Sequence, residues 1–118
     1  MKKFLFVMRR PPYEGSAVRE SLDMLLTVAA FDQPARVLFL DDGVFLLKPG
    51  QRPEALGLKP VEPWLAALQI YDVEELWVEE ESLTERGLKF QSLALPVQAI
   101  RRAEVGKLAG EADIVVSC

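Results

Sequence analysis

The chain has 118 residues, 50% of them apolar and 27% charged, a globular balance that sets aside collagen-like, disordered and disulfide-scaffold chains and leaves no room for a second domain. Its 14 basic residues stand against 18 acidic ones, a net charge of −4, and the cations fall in scattered pairs (Lys2-Lys3, Arg9-Arg10, Arg101-Arg102), which reads as solvated surface charge and not as a face for nucleic acid. With no histidine and a single cysteine, Cys118, imidazole catalysis, histidine-built triads, zinc sites with histidine ligands, intramolecular disulfides and cysteine-pair metal motifs are all removed.

Phe4 to Met8 is a continuous apolar run closed by Arg9-Arg10 and Pro11-Pro12, the pattern of a strand buried on both faces in a parallel sheet. Lys2-Lys3 before that run imitates a secretory start, yet the run is shorter than the roughly 7–15 residues of a signal h-region. No stretch approaches the ~18 consecutive apolar residues of a membrane span. With one cysteine and no sign of an oxidising compartment, a cytoplasmic protein is expected.

Gly15-Ser16 offers an N-cap to a helix carrying Leu22, Leu25, Leu26, Ala29 and Ala30 at helical spacing. Ala35 to Leu40 repeats the buried-strand pattern and ends at the turn signal Asp41-Asp42-Gly43. Between Val44 and Pro63 the chain is punctuated by Pro49, Gly50, Pro53, Gly57 and Pro60, so a surface loop with only short turns is expected. Trp64 to Tyr71 then reads as a helix started by Glu62-Pro63, and Leu76-Trp77-Val78 as a third strand. Glu80 to Arg86 reads as a compact helix with acids at its positive end and Gly87 as its left-handed stop. Val97 to Ile100 gives a fourth strand, Arg101 to Gly110 a polar helix weakened by Gly106, and Ile114 to Val116 a fifth strand. With right-handed crossovers this alternation predicts one α/β domain over residues 1–118, three layers (α/β/α) around a five-stranded parallel sheet.

Apolar residues exceed what one sheet can cover. Met24, Val28 and Phe31 form a stripe offset from the Leu22-Leu25-Leu26-Ala29 stripe, and Phe45, Leu46 and Leu47 together with Trp64 and Leu68 add further apolar surface. These eight positions are the expected partner interface of an oligomer.

In an open parallel sheet ligands bind beyond the carboxyl ends of the strands, here Met8-Arg9, Asp41-Gly43 and Val78-Glu81. Gly43 and Gly50 make no phosphate cradle, and Asp41-Asp42 reads as a turn before it reads as a magnesium corner. The run Glu79-Glu80-Glu81 reads as solvated carboxylates. Cys118 has no activating helix terminus or cation in view, which leaves a role as sulfur carrier as the minority reading. No metal, no cofactor and no catalytic residue are assigned.

The combination Asp42-Gly43-Val44-Phe45, Leu47 and Pro49-Gly50-Gln51, followed by Tyr71-Asp72-Val73, Trp77-Val78, Ser82-Leu83 and Glu85-Arg86-Gly87-Leu88, resembles the DsrE/DsrF/DsrH family of sulfur-relay subunits, in its TusC-like (DsrF-like) branch. Phe6-Val7, Pro12, Gly15, Arg19-Glu20 and Leu22-Asp23 extend the resemblance over nearly the whole chain. The resemblance implies a cytoplasmic heterohexamer with TusB-like and TusD-like subunits. Such a complex takes persulfide sulfur from a TusA-like carrier towards a TusE-like one, for 2-thiolation of the tRNA wobble uridine or for sulfur oxidation. In the active subunit of that family a cysteine at the end of the strand entering the short helix carries the persulfide; its counterpart here is Glu79. A carboxylate forms no persulfide and repels anionic sulfur, so a noncatalytic structural subunit is expected. The alternative is a free-standing α/β protein that holds a small anion at the carboxyl ends of the strands.

Overall fold

Residues 2–13, 15–49, 62–73 and 75–118 are described by a computed structural model in which the apolar runs become parallel strands. These are β1 (Phe4–Met8), β2 (Ala35–Phe39), β3 (Glu75–Glu79), β4 (Gln98–Ile100) and β5 (Ile114–Ser117), in the order β4-β3-β2-β1-β5. Helices α1 (Ala17–Ala30), α2 (Glu62–Ile70), α3 (Glu80–Glu85) and α4 (Arg102–Gly110) alternate with them.

Both sheet faces are covered, which is why β1 (Phe4–Met8) and the stretch Val37–Phe39 of β2 are apolar without alternation. Phe6, Met8, Val37, Phe39, Leu76 and Val78 pack on one face against Val18, Leu22 and Leu25 of α1 and Leu65 and Leu68 of α2. Leu5, Val7, Leu38 and Leu40 pack on the other with Ile100 and with Leu108, the buried residue of α4. Each such side chain taken fully out of water contributes about 1.5–3 kcal/mol. At the amino end of the sheet Arg36 braces the two layers, donating to Glu75 at 2.9 Å and to Glu111 at 2.7 Å.

Three expectations change. The segment after β2 is no open turn but a 3-10 helix, Asp41–Leu47, whose Leu46 and Leu47 are buried in the core. Those two residues, together with Leu68, which is fully buried under α2, therefore leave the expected partner surface: the chain's own core satisfies them. Phe45 is half-buried. Ser16 stands at the N-cap of α1 but makes no side-chain cap; its hydroxyl donates to Glu20 at 3.1 Å. Residues 50–61 of the expected loop and the side chain of Trp64 lie outside the described residues.

Of the offset stripe Met24 and Phe31 remain at the surface, while Val28 is half-buried against the core. Met24 is 50% exposed and Phe31 75%, and on β5 Ile114 and Val115 are exposed as well, on opposite faces of the sheet.

The 3-10 helix can leave β2 only because residue 43 is glycine: a Cβ there would stand 1.8 Å from the carbonyl oxygen of Met8. Gly43→Ala should cost more than about 3 kcal/mol, since backbone must move. Gly106, inside α4 with open space around its Cβ position, should do the reverse, Gly106→Ala adding about 0.5–1 kcal/mol. Urea unfolding of both variants checks the pair; equal midpoints would overturn the account of Gly43.

Candidate functional site

Strand β3 ends on Glu79, and the alternation that sends Leu76 and Val78 towards α1 and α2 sends Trp77 and Glu79 towards the α4 side. Glu79 is only 4% exposed, so the expectation of a solvated carboxylate fails at this position. An ionised carboxylate out of water needs donors, and the structure supplies two sets. The fully buried Ser82, one helical turn on, gives its hydroxyl hydrogen to Oε1 of Glu79 and accepts the N–H of Asp41 at 2.9 Å. Arg102, from the first turn of α4, donates Nε and Nη2 to the same oxygen at 3.1 and 3.0 Å.

Around this pair lies a second tier. The other edge of the Arg102 guanidinium holds Glu85 at 3.1 and 2.9 Å, and its backbone N–H donates to Glu81 at 2.9 Å. Arg101 stands 3.8 Å from Glu80. Arg86 donates to Asp42 at 2.9 Å and to the carbonyl of Ser82 at 3.2 Å, while Arg9 is 3.9 Å from Asp41. Glu85 and then Glu79 raise the pKa of Arg102 above its usual value. The backbone N–H of Arg102 holds Glu81 below the ordinary carboxylate range, and the Arg102 guanidinium does the same to Glu85.

The three loops picked from the sequence thus converge, Met8-Arg9 on Asp41 and Asp41-Gly43 on the turn after Glu79. Cys118 does not join them. It closes β5 with its N–H on Val7 and its Sγ 3.6 Å from Met8 Sδ, and β1 and β2 separate it from β3, about 14 Å at ordinary strand spacing. Sequence reasoning missed Ser82 and Arg102. Ser82 sits three residues after Glu79, within reach on one helical turn; Arg102 was indistinguishable from Arg101 until the fold brought it under β3.

Chemically the arrangement is self-neutralising. Glu79 takes the hydroxyl of Ser82 and two N–H groups of Arg102, whose remaining donors go to Glu85 and Glu81, and among the described residues no three acidic or thiol groups converge as a metal site.

Residues 2–118 match the DsrE/DsrF-like family. A Pseudomonas aeruginosa protein named "Protein TusC homolog" is 40% identical over 116 residues, 98% of each chain. The "Intracellular sulfur oxidation protein DsrF" of Allochromatium vinosum is 36% identical over 131 residues, covering 99% of this chain and 96% of that one. Among solved structures, the ychN protein of E. coli superposes with a TM-score of 0.85 at 20% identity, over 100% of both chains. A protein of unknown function from Methanobacterium thermoautotrophicum superposes at 0.74 with 11% identity, likewise over 100% of both. At those identities the two structures speak for the fold.

Because Glu81 and Glu85 are lowered from 4.5, the folded chain holds fewer protons there than the unfolded one, and the stability this gives is present above about pH 4.5 and lost as pH falls through the folded values. Urea midpoints measured from about pH 5 to about pH 3 should therefore fall, and fall less steeply in Arg102→Gln, which removes the guanidinium from Glu85. Parallel curves would overturn the assignment.

Proposed function

The chain belongs to the DsrE/DsrF-like family, and we propose that it is a noncatalytic structural subunit of a TusBCD-like sulfurtransferase complex that relays persulfide sulfur for 2-thiolation of the tRNA wobble uridine. Glu79 carries this reading. It occupies the end of the strand that enters the short helix, where the active subunits of the family hold their cysteine, and it is buried and bound by Ser82 and Arg102. The expected repulsion of anionic sulfur by Glu79 is thereby modified: Arg102 compensates its charge. What keeps sulfur out is the lack of a thiol together with an already occupied donor set.

The names of the relatives support a place in sulfur metabolism, one a TusC homologue and another a sulfur-oxidation protein. Among the described residues no helix is long and apolar enough to cross a membrane, and a complex working in the cytoplasm fits that. TusB-like and TusD-like subunits would cover the flank of Met24, Val28 and Phe31. The alternative of a small anion held at the strand ends would have to compete with Asp41, Asp42 and Glu79 for Arg9, Arg86 and Arg102, with which they are paired.

Two expected outcomes follow for the chain co-expressed with TusB-like and TusD-like subunits and assayed for tRNA thiolation. Cys118→Ser should leave thiolation within about twofold of the parent, because the thiol stands against Met8 Sδ at the end of β5, separated by β1 and β2 from β3 and the Glu79 position; assembly retained with thiolation abolished would overturn the noncatalytic reading. Phe31→Glu, at a side chain 75% exposed, should leave the isolated chain folded yet lower recovery of the complex by about tenfold or more, as burying an unpaired charge at an interface core does. Undiminished recovery would move the interface elsewhere.

A further inference from the structure

Past the ion-pair cluster the sheet ends in a trough. β4 is the last strand on its side and three residues long, and among the described residues no strand pairs with its outer edge. Ala99, opposite Val78, is the residue β4 places on the α1 and α2 face. Its methyl group fills little, and α3 reaches the site with one apolar side chain. A cavity of about 450 Å³ remains, floored by Ala99, Leu83, Leu88 and Phe90 and walled by Glu80 and Thr84. A second hollow of about 430 Å³ adjoins it, sharing Glu80 and Thr84 and adding Glu81, Glu85 and Arg101.

We propose that this edge is the docking site of an extended basic segment of a partner protein, which adds a strand to β4, seats an apolar side chain over Ala99 and sets lysine or arginine against Glu80 and Glu81. Three independent features converge on that occupant. An unpaired strand edge presents N–H and C=O groups that only another strand matches well. The hollow lies on the face where alternate side chains of such a strand project. The lip is acidic, since Glu80, Glu81 and Glu85 are three carboxylates lining it with one guanidinium, Arg101. That charge argues against a second copy of this chain, because pairing β4 with β4 would bring two acidic lips together. Three residues of ladder give few backbone bonds, so selectivity rests on the hollow and the lip. The site stands on β4 and α3 alone and does not depend on the sulfur-relay reading.

The test uses the full chain and tagged peptides of about six residues, a common strand length. One alternates leucine with lysine, one leucine with glutamate, and one is the lysine peptide interrupted by proline. Anisotropy should show the lysine peptide binding at least about tenfold tighter than the other two and weakening as salt rises from about 0.05 to about 0.5 M. Amide resonances of residues 98–100 should shift on binding. Glu80→Lys, at an exposed position, should weaken binding about tenfold with an unchanged urea midpoint, and Phe90→Ala should weaken it independently of salt. Equal binding of all three peptides, an unaltered affinity in Glu80→Lys, shifts confined to another edge, or self-association of the chain through β4 would each overturn the proposal.

Discussion

A carboxylate taken out of water at the end of a strand has to be answered by donors brought from elsewhere, and Glu79 obtains them from two directions. Ser82 reaches back along the short helix, and Arg102 reaches up from the layer on the opposite face. Each donor is itself tied onward: Ser82 receives the N–H of Asp41, which begins the 3-10 helix, and Arg102 spans to Glu85 and Glu81. The carboxyl ends of β2 and β3, the helix α3 and the start of α4 therefore hold one mutual geometry. Removing either partner would leave the other buried or unpaired, which costs more than the pair itself contributes.

That network occupies the place where an open parallel sheet ordinarily receives ligands. The sheet scaffold keeps the shape of a site while its polar groups are consumed internally. Two surfaces stand apart from that network: the exposed Met24 and Phe31 of α1, and the edge of β4 beside Glu80 and Glu81.

Much of the scaffold was legible in the residues. Continuous apolar runs at Phe4–Met8 and Val37–Phe39 read as strands covered on both faces, and the compact helix followed from acids at its start and a glycine, Gly87, after it, which the structure holds at φ +68°. The site was legible only in outline. Which acid is buried depends on the face that strand parity gives it, and position 79 differs from 80 and 81 by one and two residues alone. Which cation answers it depends on α4 packing beneath β3, a contact between residues 23 apart that leaves no local pattern. Leu46 and Leu47 misled for the same reason: their burial is decided by the glycine that lets the chain pass over Met8.

The pairing of β1 with β5 has a consequence in time. Phe4 lies against Ile114, so one edge of an inner strand stays open until residue 114 has left the ribosome. The β1-α1-β2 unit can form early, because its contacts are close in sequence, while closure of the sheet waits on partners 110 residues apart. During that interval Phe4 to Met8 offer a bare, strongly apolar edge, and a nascent chain in that state is the form most exposed to chaperones or to pairing with the wrong strand.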